Sequence, residues 1–191
     1  FLGLLDALPP ELPRIITWVD EGAELPAGAQ TLDDMVAANS TEPISTPSKP
    51  GGSVILTSGT TGLPKGAPRD TVSPFASAQL ADRVPFPRKG TMVIVSPIFH
   101  STGWATYLAG AALGNKVVTG RRFNAENTLK MIAEHKADML VAVPTMLHRM
   151  VELGPEVHGK YDTSSLKVIL VAGSALSPEL SNRTQDVFGD V

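Results

Sequence analysis

Along the second half of this chain, short runs of branched apolar residues alternate with longer stretches of helical spacing. Thr91-Met92-Val93-Ile94-Val95, Lys116-Val117-Val118-Thr119, Met139 to Val143 and Lys167 to Val171 each read as strands bounded by turn residues. Between them, Asn124 stands as the cap of a helix that carries Leu129, Ile132 and Ala133 at helical spacing. Pro144 to Leu153 and Pro178 to Phe188 read as helices opened by proline, whose missing N–H costs nothing in a first turn. Ser101 to Leu113 is an apolar helix closed by Gly114, and its composition predicts burial. Strands separated by single helices with short connections predict an α/β fold, a mostly parallel sheet with flanking helices.

The first half is less regular. Arg14 to Val19 reads as a strand ending at Asp20, and from there to Gly52 the chain is dominated by Pro, Gly, Ala, Ser and Thr, with only a weak helix from Thr31 to Val36. That stretch predicts a surface excursion, so residues 1–52 are expected to form a partial leading subdomain and connection, and 53–191 a core segment of βα units. Val54-Ile55-Leu56, after Gly51-Gly52, reads as a short buried strand. Asp70 to Arg83 is expected to be helical, with Pro74 in its first turn or breaking it. No internal repeat is visible.

Composition narrows the class. With 42% hydrophobic and 18% charged residues over 191 positions and a formal net charge of -3, the chain reads as globular, with no electrostatic bias toward nucleic acid. The lack of cysteine excludes disulfides, thiolate metal sites and cysteine nucleophiles. No apolar run reaches the ~18 residues of a membrane-spanning helix, and Phe1-Leu2-Gly3-Leu4-Leu5 lacks the basic flank of a signal peptide.

The candidate chemistry follows the strand at Val54. Thr57-Ser58-Gly59-Thr60-Thr61-Gly62-Leu63-Pro64-Lys65-Gly66 packs hydroxyls, turn glycines and a lysine into one loop. Glycines at 59 and 62 allow backbone N–H groups to approach a ligand closely, and the hydroxyls of Thr57, Ser58, Thr60 and Thr61 can donate to phosphate oxygens. Lys65 supplies a point charge held near the loop by the stiffness of Pro64. A Walker A loop requires Gly, four residues, then Gly-Lys-Ser/Thr. Pro64 stands where its second glycine belongs and Gly66 where its hydroxyl belongs, so a P-loop NTPase fails at two defining positions.

The same string resembles the phosphate loop of the adenylate-forming superfamily, which includes acyl-CoA synthetases, peptide adenylation domains and luciferases. Pro97-Ile98-Phe99-His100-Ser101-Thr102-Gly103, Val143-Pro144-Thr145 and Val171-Ala172-Gly173-Ser174-Ala175 resemble three further segments of that superfamily, in its order. The resemblance, strongest to a fatty-acid–CoA ligase, implies the central part of an acyl-CoA-synthetase-like N-terminal domain within a longer enzyme. That enzyme would activate a carboxylate with ATP and Mg²⁺ to an acyl-adenylate and pass the acyl group to coenzyme A.

By this resemblance, Thr57, Ser58, Gly59, Thr60, Thr61, Gly62 and Lys65 bind the ATP phosphates, and the backbone of Gly173, Ser174 and Ala175 lines the adenine side. His100 sits where acyl pocket and nucleotide meet. Trp104, one helical turn after His100, is either a core aromatic or a gate to a fatty-acid tunnel. The small residues Gly103, Ala105, Ala109, Gly110, Ala111 and Ala112 favour the tunnel, since they leave room for an apolar chain. Thr145 either caps its helix or lines the cavity. His135 and His148 are expected to face solvent, and with His158 they receive no role.

The family's segments that serve the α-phosphate, Mg²⁺ and ribose, and its catalytic lysine, are expected beyond Val191. No catalytic residue and no metal ligand is therefore assigned within the chain, and the segment alone is expected to be inactive. After Lys65-Gly66 this chain has Ala67-Pro68-Arg69, where many relatives have Val and a later histidine. The expected partners are a fatty acid or other carboxylate, ATP and coenzyme A, with no nucleic acid. The expected place is the cytoplasm, with a peripheral position at a membrane left open. Two alternatives stay open: a nucleotide-binding module without catalysis, and an amino-acid or aryl adenylation domain. The absence of Asp and Glu from Phe99 to Gly103 weighs against amino-acid activation.

Overall fold

The computed structural model describes residues 7–49, 53–58, 64–69 and 82–191, arranged as two compact units, Phe1–Pro50 and Gly51–Val191. In the first unit, β1 (Arg14–Ile16) pairs in parallel with β2 (Ala29–Thr31), and α1 (Leu32–Ala37) follows directly. Thr31 ends the strand and starts the helix, because its Oγ1 accepts from Asp34 N at 3.0 Å and donates to Asp34 Oδ2 at 2.6 Å. The strand predicted from Arg14 to Val19 is thus only three residues long. The supposed excursion contains that strand's partner, β2. Three residues without alternation carry no readable period; the ladder alone defines β2.

The second unit opens with an antiparallel hairpin, β3 (Ser53–Ser58) and β4 (Pro64–Arg69), in which Thr57 faces Lys65 and Ser58 faces Pro64. β4 was not legible in the sequence, since two prolines and a glycine in six residues argue against a strand. Pro64 and Pro68 stand four apart, so their missing donors fall on one side of the strand, and an edge position tolerates that. Of the helix expected from Asp70 to Arg83, only residues 82–83 are described, and these are helical.

The core is a four-stranded parallel sheet, in the order β6 (Lys116–Val118), β5 (Thr91–Ile94), β7 (Met139–Ala142), β8 (Val168–Val171). Five helices belong to this unit among the described residues: α2 (Ser101–Ala112), α3 (Ala125–His135), α4 (Pro144–Val151), α5 (Pro155–His158) and α6 (Pro178–Phe188). The apolar runs are strands buried on both faces. Val93, Leu140 and Ala142 point into one cluster with Leu129 and Ile132 of α3, Leu147 and Met150 of α4, and Leu180 and Phe188 of α6. Met92, Ile94, Met139 and Val141 point to the opposite face, where they meet Ile98 and Val117. Each fully buried side chain of this size contributes about 1.5–3 kcal/mol.

Helix starts follow the sequence closely. Asn124 Oδ1 accepts from Asn127 N at 2.8 Å, Ser177 Oγ accepts from Leu180 N at 3.2 Å, and prolines open α4, α5 and α6.

The predicted burial of α2 is overturned. Its buried positions are Gly103, Thr106 and Gly110, whereas Trp104, Tyr107 and Leu108 are exposed. Close approach decides this: a Cβ added at Gly110 would lie 2.8 Å from Met92 Sδ, and one at Gly103 would lie within 2.3 Å of the Pro97 carbonyl oxygen. The helix lies against β5 through its smallest residues, and its large side chains are left outside.

Candidate functional site

Three of the segments singled out in the sequence follow the C-terminal ends of neighbouring parallel strands. Pro97 to Gly103 follows β5, Val143-Pro144-Thr145 follows β7, and Gly173-Ser174-Ala175 follows β8. Backbone hydrogen bonds tie the strand ends together: Val95 N donates to the Val141 carbonyl at 3.0 Å, and Ala172 N to the Ala142 carbonyl at 3.3 Å. In open α/β sheets this carboxyl edge is where ligands bind.

The second and third segments touch. Gly173 has φ +103, a conformation costly for any residue with a Cβ, and a Cβ added there would meet Val143 Cγ1 at 3.4 Å. Thr145 and Ala175 line one open groove of about 420 Å³ between α4 and the β8–α6 turn. Thr145 is exposed, and its hydroxyl makes no hydrogen bond among the described residues. The capping position of α4 is Val143, which has no polar side chain, so its first turn has no side-chain cap.

At the head of α2, His100 takes the capping position in extended conformation (ψ 148) but forms no side-chain cap, and its ring is exposed. Its carbonyl accepts from Trp104 N at 2.9 Å, and its own N–H donates to the Pro97 carbonyl at 3.0 Å, so the segment closes as a tight turn into the helix. Trp104 is not a core aromatic: it is 39% exposed and stacks on Tyr107 with ring centroids 6.0 Å apart. Phe99, next to His100 in the chain, is 92% exposed. Among the described residues, the small residues of α2 divide between a covered and an open side. Gly103 and Gly110 are filled by Pro97 and Met92, and Ala105, Ala111 and Ala112 are exposed.

Sequence reading missed Ser96, which is 2% exposed and whose Oγ has no hydrogen-bond partner. A buried hydroxyl one residue before the Pro97 segment is a free donor at the carboxyl end of β5. Its signal was present only as a polar residue closing an apolar run.

Of the residues expected to hold phosphate, Thr57 and Ser58 end β3 and Lys65 lies in β4, opposite Thr57. Gly59, Thr60, Thr61 and Gly62 lie outside the described residues.

The other histidines are structural in their contacts. His148 Nδ1 lies 3.3 Å from Glu152 Oε2, and His135 Nδ1 lies 3.2 Å from Lys116 Nζ. His158 departs from its neighbours in being largely covered, its ring edge-on to Phe188 and its Nε2 without a partner. Among the described residues, no group of three or more His, Asp or Glu side chains could hold a metal ion, and no helix is long and apolar enough to cross a membrane.

The family model described as AMP-binding enzyme matches residues 4–191. The chain belongs to the AMP-binding enzyme family. Among relatives, it is 33% identical over 129 residues to 2-succinylbenzoate--CoA ligase of Staphylococcus aureus, covering 67% of this chain and 25% of that one. It is 28% identical over 141 residues to medium-chain-fatty-acid--CoA ligase of Ectopseudomonas oleovorans, covering 72% and 26%. The solved O-succinylbenzoate coenzyme A synthetase of Bacillus subtilis, in complex with AMP, superposes with a TM-score of 0.64 at 26% identity, over 84% of this chain and 34% of that one. The amide bond synthetase McbA of Marinactinospora thermotolerans shares the fold, with a TM-score of 0.76 at 22% identity, over 98% and 36%. The chain spans about a quarter of the length of the curated relatives it matches. In this member of the AMP-binding family, the segments at Pro97, Val143 and Gly173 lie at one edge of one sheet.

Proposed function

We propose that this chain is the central segment of the large domain of an AMP-forming acid–thiol ligase. The enzyme activates a carboxylate with ATP to an acyl-adenylate and transfers the acyl group to coenzyme A. The observation that carries this reading is the meeting of Val143-Pro144-Thr145 with Gly173-Ser174-Ala175 beside the Pro97 to Gly103 turn, at the carboxyl edge of β5, β7 and β8.

In this reading Thr57, Ser58, Gly59, Thr60, Thr61, Gly62 and Lys65 hold the β- and γ-phosphates while the α-phosphate reacts. Much of the rate comes from positioning and charge neutralisation. The Gly173 turn offers backbone to the adenine, because its positive φ exposes peptide edges that a side chain would cover. His100, exposed at the head of α2 with no capping bond of its own, is available to donate to a carboxylate or phosphate oxygen. The described residues do not fit a magnesium site, since no acidic cluster is present among them.

The first substrate reading is a fatty acid of medium or long chain. The exposed Phe99, Trp104 and Tyr107 give it an apolar surface beside His100. The stack of Trp104 on Tyr107 favours a second reading, an aryl acid, because a ring can extend that stack. The testing experiment is pyrophosphate release by the longer protein with ATP, comparing a fatty-acid series with an aryl-acid series, with and without coenzyme A. Release by neither series would overturn the proposal. The segment alone is expected to release no pyrophosphate above a blank.

A further inference from the structure

Each strand of the parallel sheet is entered through a lysine. Lys116 opens β6, Lys89 stands shortly before β5, Lys136 shortly before β7 and Lys167 directly before β8. Four of the chain's eight lysines therefore line the amino edge of the sheet, in the spatial order of its strands. All four are exposed. The backbone beneath them is stitched across the sheet: Lys116 N donates to the Gly90 carbonyl at 2.8 Å, Asp138 N to that of Thr91 at 2.9 Å, and Lys167 N to that of Asp138 at 2.9 Å.

Lysines at strand entrances are ordinarily a solvated rim, but this row has more to it. Lys89 and Lys136 have φ +54 and +46, the left-handed region that glycine occupies at less backbone cost. The carbonyl ends of α2 and α3 favour a cation at these two positions, yet Lys167 directly follows no helix and completes the row. The acidic side chains of the same segments are already engaged. Asp138 accepts from Thr91 N and Lys167, Glu134 pairs with Lys130 at 3.6 Å, and Asp162 accepts from Ser164 Oγ at 2.6 Å. Among the described residues, Lys89 and Lys136 form no ion pair and no side-chain hydrogen bond.

Neighbouring strands lie about 4.8 Å apart, so the four entrances span about 15 Å. Carboxylates on one face of a helix recur once per turn of about 5.4 Å, a spacing that flexible lysine stems can follow. The segments that carry the row expose no large apolar or aromatic side chain, which insertion into lipid and stacking on bases would use.

We propose that the amino edge of this sheet is a docking surface for an acidic helix of a partner protein, laid across the strands with one carboxylate per turn facing one lysine per strand. The surface lies at the opposite end of the strands from the Pro97, Val143 and Gly173 segments, and it stands without the ligase reading. Lys89 and Lys136 are its principal contacts. Lys167 is shared with Asp138, and Lys116 with His135 at 3.2 Å.

The test is titration of the protein with two synthetic helical peptides of identical composition, read by fluorescence anisotropy and by amide shifts. One carries glutamates at i, i+4, i+7 and i+11, on one face; the other spreads the same glutamates around the helix. The striped peptide should bind more tightly, weaken as salt rises, and move the amides of Lys89, Lys116, Lys136 and Lys167 together. The double variant Lys89→Gly with Lys136→Gly separates docking from structure. Glycine relieves both left-handed positions, so the melting temperature should hold or rise, while affinity for the striped peptide falls about fivefold. Arg122→Gln, beyond the carboxyl end of β6, should bind as wild type does. Equal affinity for the two peptides, or unchanged affinity in the double variant, would overturn the proposal. So would tighter binding to phosphatidylserine vesicles or to a single-stranded oligonucleotide than to the striped peptide.

Discussion

Asp138 and Thr91 clasp each other at the N-terminal ends of β7 and β5. Thr91 N donates to Asp138 Oδ2 at 2.9 Å, and Asp138 N donates to the Thr91 carbonyl at 2.9 Å. Lys167 Nζ adds a bond to the other carboxylate oxygen at 2.7 Å. The Lys167 ammonium, and after it the Thr91 N–H, hold the Asp138 carboxyl below its usual value of 3.8. The lysine is the larger cause of that shift, yet its side chain is 74% exposed, so its Coulombic gain is screened and worth about 0–1 kcal/mol. Asp138→Ala leaves the Thr91 N–H without a partner and should cost about 1–3 kcal/mol. Lys167→Ala should cost less than half of that. Urea unfolding of both variants decides; equal losses would place the stability in the ion pair.

The same carboxylate sets an acid limit. Its pKa is lower folded than unfolded, so its contribution is complete above 3.8 and is lost as pH falls through the folded value. Wild type should lose stability below pH 3.8 faster than Asp138→Asn, which cannot titrate. Parallel acid-unfolding curves for the two proteins would remove Asp138 from the explanation.

Two glycines of α2 should respond unequally to the same substitution. Gly103→Ala drives a methyl into the Pro97 carbonyl, backbone that cannot step aside, whereas Gly110→Ala meets the end of a flexible methionine. Gly103→Ala should cost about 2 kcal/mol or more, and Gly110→Ala well under that. Thermal melting of the pair tests the order.

Trp104 and Leu129 offer a contrast between function and core. Leu129→Ala, at a fully buried site, should cost about 2–5 kcal/mol. Trp104→Ala, at a half-exposed site, should cost less than about 1 kcal/mol, while, on the proposed reading, altering which acids the longer protein uses. A Trp104→Ala loss as large as that of Leu129→Ala would restore the core reading.

On the proposed reading, Lys65→Ala in the longer protein should weaken ATP use more than acid binding, because there only the phosphates would meet that charge. The expected loss is about 1.5–3 kcal/mol, read as the ratio of kcat/KM for ATP. Unchanged ATP affinity and turnover would refute the phosphate-loop role of Lys65.

Legibility differed element by element, for physical reasons. The strand β7 was plain because four consecutive apolar residues are buried on both faces, and α6 because Ser177 and Pro178 fix its first turn through local bonds. The strands β2 and β4 were not plain. Their conformation comes from the partner strand, and β4 contradicts its own propensities. The burial predicted for α2 failed because its apolar residues surround the helix without favouring one side. Backbone proximity at Gly103 and Gly110 then chose the buried face. Thr106 could be buried there only because its hydroxyl bonds back to the Thr102 carbonyl at 2.8 Å. In the site, the segments at Pro97, Val143 and Gly173 were visible as strings. Ser96 was not, since nothing around it in the sequence distinguishes an unpaired hydroxyl from an ordinary one.

The sequence by itself determined what depends on near neighbours: the capped helix starts and the doubly buried strands. Only tertiary structure decided which strands are adjacent, that Gly173 lies against Val143, and that the small side of α2 faces inward. Each of these rests on contacts between residues far apart in the chain. Their energies depend on how closely two backbones approach, and no local pattern encodes that distance.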